Sequence, residues 1–159
     1  ESVTVLDLPD EQATRAIASR LADEVRGGDV LALWGGLGVG KTVFARALVQ
    51  ARTGAEIEVP SPTFTLVQIY EGVGPDAADL FHFDLYRIDA PEDALELGIE
   101  DAFAGGIAVI EWPDRLGPFL PAKRLDLVFA DVPGRANARE LRLSGDASWR
   151  RRLAGAGFA

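Results

Sequence analysis

The chain has 159 residues, 48% of them hydrophobic, which is the length of one globular domain able to bury roughly 70% of its unfolded surface, so a single domain over 1–159 is expected. It contains no cysteine, which removes disulfides, thiolate metal sites and thiol nucleophiles. A formal net charge of −9 argues against direct binding to a DNA or RNA backbone, because such binding calls for a basic surface.

In chain order, residues 4–8 read as a short strand. Pro9 and Asp10 then start a helix with Ala13, Ile17, Leu21 and Val25 spaced four apart on one face, and Gly27-Gly28 ends it. Residues 30–34, Val-Leu-Ala-Leu-Trp, form a buried strand, and 43–52 form a helix whose Phe44, Ala47 and Leu48 face a sheet, closed by Gly54. Residues 65–70 and 80–84 flank a turn region at 72–76, which predicts an antiparallel hairpin and excludes a purely parallel sheet. Residues 91–97 read as a short helix stopped by Gly98. The continuous apolar run Ile107-Ala108-Val109-Ile110 suits a central parallel strand. Residues 124–129 and 140–143 read as strands around Pro133-Gly134, and 147–153 as a terminal helix.

Between the second strand and the second helix stands Gly35-Gly36-Leu37-Gly38-Val39-Gly40-Lys41-Thr42, which fits G-x-x-x-x-G-K-[ST] residue for residue. The order of strand, glycine loop and helix is the context that this pattern requires. Glycines allow consecutive backbone N–H groups to turn inward around a phosphate, and the loop feeds the positive end of a helix dipole. Lys41 is then placed for the β- and γ-phosphates and the Thr42 hydroxyl for Mg²⁺. A nucleoside triphosphate is the expected ligand.

Phosphate chemistry in this architecture needs an acidic group at a strand end beside the loop. Asp84 follows Leu80-Phe81-His82-Phe83, and Glu111 follows the apolar run 107–110, so both are candidates. Glu111 is the stronger because its strand reads as central. The hydroxyl-bearing segment Ser61-Pro62-Thr63-Phe64-Thr65 reads either as a turn leading into a strand or as a segment that senses the nucleotide state. His82, among apolar residues, reads as structural. Arg87 reads as a surface ion-pair partner of Asp89 or Glu92, with transition-state stabilisation as the alternative. Arg150-Arg151-Arg152 reads as a solvated helix end.

Taken together, Gly38-Val39-Gly40-Lys41-Thr42, Ser61-Pro62-Thr63-Phe64-Thr65-Leu66-Val67, His82-Phe83-Asp84-Leu85-Tyr86-Arg87 and Glu111-Trp112-Pro113 closely resemble the TsaE (YjeE) family of bacterial ATPases, which takes part in making threonylcarbamoyladenosine on tRNA. The opening Pro9-Asp10-Glu11-Gln12-Ala13-Thr14 is similar to the family's start, and the resemblance runs from Pro9 to Arg135. It implies an α/β P-loop NTPase fold of three layers with a mixed parallel and antiparallel sheet. It also implies an ATPase that uses ATP and Mg²⁺, works with the TsaB and TsaD proteins, and meets tRNA only through them. Carried over to this sequence, Gly36, Leu37, Gly38, Val39, Gly40 and Lys41 cradle ATP, while Thr42 and Glu111 contact Mg²⁺. Glu11, Thr63, Thr65, Trp112 and Arg135 contact the nucleotide or its switch, and Asp84 stands near the attacking water, so Lys41, Asp84 and Glu111 carry the catalysis. One departure is visible: Gly36 stands where the family usually has Asp or Asn.

A small-molecule kinase shares the loop but needs an acceptor pocket and a lid, for which 114–124 is the one available stretch. A nucleotide-gated binding module without significant hydrolysis is the other reading. No segment reaches ~18 consecutive apolar residues, and residues 1–5 carry neither a basic leader nor an apolar run, so a soluble, untargeted, cytoplasmic chain without membrane contact is expected.

Overall fold

The alternation of apolar residues in the strands decides how the chain layers. Val30, Ala108, Ile110, Phe81 and Phe83 point to one face of a sheet, while Leu31, Leu33, Ile107, Val109 and Leu80 point to the other. Both faces therefore need covering, and the computed structural model, which describes residues 3–36, 38, 40–54 and 66–158, shows helices on each. The elements are β1 (Val3–Leu8), α1 (Glu11–Ala22), β2 (Val30–Trp34), α2 (Lys41–Thr53), β3 (Val67–Val73), β4 (Ala78–Asp84), α3 (Asp93–Glu96), α4 (Ile99–Phe103), β5 (Ile107–Glu111), β6 (Leu125–Val132), β7 (Arg135–Ser144) and α5 (Ala147–Gly155), with a 3₁₀ segment at Pro113–Phe119.

The seven strands form one sheet in the order β1-β7-β6-β2-β5-β4-β3. β2 runs parallel to β5 and β6, and β4 parallel to β5, while β1–β7, β6–β7 and β3–β4 are antiparallel. The mixed sheet and the hairpin agree with the sequence reading. α1, α2 and α5 cover one face through Leu21, Phe44, Leu48, Trp149 and Leu153, and Phe44 meets Phe129 edge-on at 5.6 Å. Ala94, Ile99, Ala102 and Leu116, from α3, α4 and the 3₁₀ segment, cover the other.

Local signals explain the element ends. Asp10 caps α1 by accepting from Ala13 N at 2.8 Å, and Asp146 caps α5 by accepting from Trp149 N at 3.0 Å. α2 closes on Gly54 in the left-handed region, φ 71°. The first helix departs from expectation: it stops at Ala22 rather than running to the Gly27-Gly28 pair, although Val25 remains buried. The buried Arg52 supports the early end, since its Nη1 donates to Val25 O at 2.7 Å and to Ala22 O at 3.4 Å, satisfying carbonyls at the end of the helix and just beyond it. Its Nη2 also donates to Asp76 Oδ1 at 2.7 Å, pinning the β3–β4 turn to the helix pair. α4 and the 3₁₀ segment were absent from the sequence reading. Gly98, read as a stop, also starts α4 with φ 83°, and the 3₁₀ segment is broken at Gly117 before Pro118. Among the described residues no helix is long and apolar enough to cross a membrane.

Candidate active site

The parallel centre of the sheet brings the carboxyl ends of β2, β4 and β5 side by side. Glu111 at the end of β5 is registered against Leu33 of β2 on one side and Asp84 of β4 on the other. Gly38 and Gly40, between β2 and α2, line one cleft with Asp84 and Glu111 at these strand ends, which is where ligands bind in open α/β sheets. The cleft has a volume of about 760 Å³, within the range typical of small-molecule sites. Gly38, Gly40, Lys41, Thr42, Asp84, Glu111, Trp112 and Glu11 all line it.

α2 begins at Lys41 directly after Gly40, whose φ of 98° is a conformation that side chains with a Cβ rarely adopt. The helix thus opens with its unpaired N–H groups at the cleft and no acidic residue in its first turn, an arrangement ready for an anion. Thr42, one residue into α2, donates its hydroxyl to Glu111 Oε1 at 2.7 Å. The other carboxylate oxygen, Oε2, lies 2.6 Å from Nε2 of the fully buried His82. Asp84 Oδ1 accepts from Tyr86 N at 3.1 Å, which orients that carboxylate at the mouth of the cleft.

Lys41 is folded back toward the end of β2. Its Nζ donates to Gly35 O at 2.7 Å and stands 3.4 Å from the centre of the Trp112 ring. Only 4% of the residue is exposed, and this burial lowers its pKa below the usual 10.5, partly offset by the carboxylates of Glu111, Asp84 and Asp114. Trp112 itself has φ 60°, an uncommon conformation for a bulky residue, and its ring packs against Tyr86 with centroids 4.8 Å apart. An ammonium held between one carbonyl and an aromatic face is weakly committed, and phosphate oxygens offer it stronger partners.

Not every residue carried over from the sequence reading comes to the cleft. Arg135, at the start of β7, points its guanidinium at Asp7, 3.5 Å away, and does not line the cleft. Arg139, four residues further along β7, does: its Nη2 donates to Gly38 O at 3.1 Å. The β6–β7 pairing is irregular between them, with Val132 opposite Arg135 and Asp131 opposite Arg139, so the two arginines do not share a site. Glu11 lines the cleft with its carboxylate 3.3 Å from Arg15. Gly36 is exposed and does not line the cleft. Leu37, Val39, Thr63 and Thr65 lie outside the described residues. Arg152 is not a solvated helix end, because both its terminal nitrogens bond Asp29, at 3.0 and 2.7 Å.

Sequence reasoning missed the His82–Glu111 contact and Arg139. The first was accessible through period-two alternation, which puts His82 and Asp84 on one face of β4. The second depended on the register of β7, which no local pattern reveals.

The donor set suits a hard divalent cation: a hydroxyl and a carboxylate in contact, beside a second carboxylate in one cleft. Among the described residues no group of three or more His, Cys, Asp or Glu is arranged to hold a metal. Thr42 and Glu111 would hold Mg²⁺, whose remaining ligands would come from phosphate and water.

The family described as "Threonylcarbamoyl adenosine biosynthesis protein TsaE" matches residues 8–140. Curated relatives carry the name tRNA threonylcarbamoyladenosine biosynthesis protein TsaE. The one from Rickettsia bellii is 34% identical over 126 residues, covering 79% of this chain and 84% of its own length. The one from Bacillus subtilis is 38% identical over 119 residues, covering 74% and 71%. Against the proteins of Rickettsia felis and Rickettsia conorii the chain spans only 63% and 59% of the relative's length. The crystal structure of Bacillus subtilis YdiB superposes with a TM-score of 0.76 at 25% identity, over 98% of this chain and 95% of that one.

Proposed function

The chain belongs to the TsaE family, and from that premise we propose that it binds and hydrolyses ATP as a component of the bacterial machinery that makes N6-threonylcarbamoyladenosine in tRNA. TsaB and TsaD are its working partners, and tRNA is met through them in the cytoplasm. The observation that carries the reading is the Thr42–Glu111 hydrogen bond under a Gly35–Thr42 phosphate loop, with Lys41 at the same strand ends.

Phosphoryl transfer asks the protein for position and charge rather than covalent chemistry. The amides at the start of α2 hold the phosphates, and Lys41 leaves Gly35 O and the Trp112 face to neutralise charge on the bridging oxygens. Arg139 holds the loop backbone from β7, and Glu11 and Trp112 border the nucleotide. Mg²⁺, held by Thr42 and Glu111, would supply further charge neutralisation across the phosphates. Asp84 orients the attacking water, with Glu111 as the alternative for that role. In this reading Thr63 and Thr65 belong to the segment that responds to nucleotide state. The net charge of −9 supports leaving tRNA to the partners, since a polyanion gains little from an acidic surface.

The test is phosphate release from ATP, with GTP as control, by the chain alone and with TsaB, TsaD and tRNA. Stimulation by the partners, confined to ATP and lost in Lys41→Ala, is the expected result. Equal turnover with and without partners would overturn the assignment in favour of an independent NTPase or kinase. Tight binding without turnover in any mixture would leave a nucleotide-gated binding module.

A further inference from the structure

We propose that His82 is a positioning residue for Glu111: its Nε2–H holds Oε2 of the carboxylate, so that Oε1 alone is presented to Thr42 and to the cation. The inference rests on the reading of Thr42 and Glu111 as the cation-holding pair. It starts from the register of two parallel strands, in which His82 is opposite Val109 and Asp84 opposite Glu111. His82 is 0% exposed and Glu111 2%, so the contact between them is shielded from bulk water.

The tautomer follows from what the ring lacks. Among the described residues Nδ1 of His82 has no hydrogen-bond partner, whereas Nε2 is 2.6 Å from Glu111 Oε2. A buried N–H without an acceptor is costlier than a buried lone pair without a donor. The hydrogen therefore sits on Nε2 and points at the carboxylate, and Nδ1 is bare. Thr42 Oγ1 donates to Oε1 at 2.7 Å. The two oxygens are thus committed to donors from different elements, β4 and α2, and the carboxylate cannot rotate without losing one. Because the Thr42 hydrogen is spent on Oε1, the lone pairs of the hydroxyl oxygen remain available for a cation. Outer partners of this kind fix how a metal-ligating carboxylate presents itself. Without His82, Oε2 would be buried with nothing to accept from, and the carboxylate would turn to find a donor.

The chain has a single histidine, so the imidazole can be read without assignment. The first arm is long-range ¹H–¹⁵N NMR of the full chain without nucleotide. We expect Nε2 protonated, Nδ1 bare, and a downfield, slowly exchanging Nε2–H that is lost in Glu111→Ala. An Nε2 without a proton would overturn the proposal. The second arm titrates Mg²⁺ against fluorescent-ATP binding in His82→Leu and His82→Gln, the latter placing an amide N–H near the position of Nε2. His82→Leu should raise the Mg²⁺ concentration for half-effect by about 10- to 100-fold with Mg²⁺-free nucleotide binding unchanged, and His82→Gln should recover most of that loss. Equal shifts in the two variants, or none in either, would overturn it. Should His82→Leu fail to fold, the tautomer and the His82→Gln titration decide. A wild-type chain whose nucleotide binding ignores Mg²⁺ would sink the cation reading itself, whereas a Mg²⁺-dependent wild type beside an unmoved His82→Leu sinks the positioning role alone.

Discussion

Replacing Lys41 by Met separates what the loop lysine does for the fold from what it does for the ligand. The substitution removes the bond to Gly35 O at 2.7 Å and the contact with the Trp112 ring at 3.4 Å. The first is worth about 1.5–3 kcal/mol as a charge-assisted hydrogen bond and the second about 0.5–2 kcal/mol. Against them stands the cost of keeping an ammonium in a place where 4% of the residue is exposed, which amounts to several kcal/mol. These nearly cancel, and Met fills similar space, so stability without nucleotide should stay within about 1 kcal/mol of wild type. The pH dependence has a definite sign. The folded chain holds the lysine pKa below 10.5, so between that lowered value and 10.5 the unfolded chain binds more protons, and wild-type stability rises with pH relative to the Met variant. Below the window the wild type carries the full cost of the buried charge. With ATP present the lost phosphate contact is worth about 1.5–3 kcal/mol, a roughly 10- to 150-fold weaker affinity. Urea denaturation from pH 7 to 10.5, together with binding of a fluorescent ATP analogue, measures both halves. A Met variant that binds ATP as tightly as wild type, or one that loses more than about 3 kcal/mol of stability without it, would refute this account.

Glu111→Gln should slow partner-stimulated hydrolysis by on the order of 10²-fold or more while ATP binding persists, measured by phosphate release against equilibrium binding. Arg139→Ala removes the bond to Gly38 O and should weaken ATP binding about tenfold. Arg135→Ala should leave the affinity unchanged, and the opposite ranking in a binding titration would put the wrong arginine in the cleft. Arg52→Ala takes the guanidinium donor from the carbonyls of Val25 and Val73 and leaves the Asp76 carboxylate with only its backbone donors, for a loss of about 2–4 kcal/mol in urea unfolding. Asp76 itself is held below the usual 3.8, first by the Gly27 amide and then by Ala78 and Arg52. Its stabilising contribution is complete above 3.8 and fades as the pH falls through the lowered value, so the stability gap between wild type and Asp76→Asn should close in acid.

Much of the site could be read from local pattern because its chemistry is local. A phosphate loop needs glycines, lysine and threonine in consecutive positions between a strand and a helix, and those residues are neighbours in the chain. Asp84 and Glu111 were visible for a related reason: each ends an apolar run, and strand ends beside the loop are where such carboxylates act. The hairpin, the central β5 and the antiparallel β6–β7 pair follow from alternation and turn residues in the same way. Of the short elements, α3 falls inside the helix read over 91–97, whereas α4, 5 residues long, is too short for periodicity to separate it from a turn, and the packing of Ile99 and Ala102 with Ile110 and Phe83 decides that it exists.

The sequence by itself determined the loop, the strand and helix types and the two carboxylates, because each depends on residues a few positions apart whose backbone preferences do not need the rest of the chain. Tertiary structure alone decided that α1 ends at Ala22 instead of at its glycines, since Arg52 reaches those carbonyls from 27 to 30 residues away. It also decided that Arg139 rather than Arg135 meets the loop, across 101 residues, and that His82 bonds Glu111 across 29. Alternation along β4 places His82 and Asp84 on one face, but the partner that each of these side chains meets is set by strand order and register, which arise when the whole sheet assembles around its core.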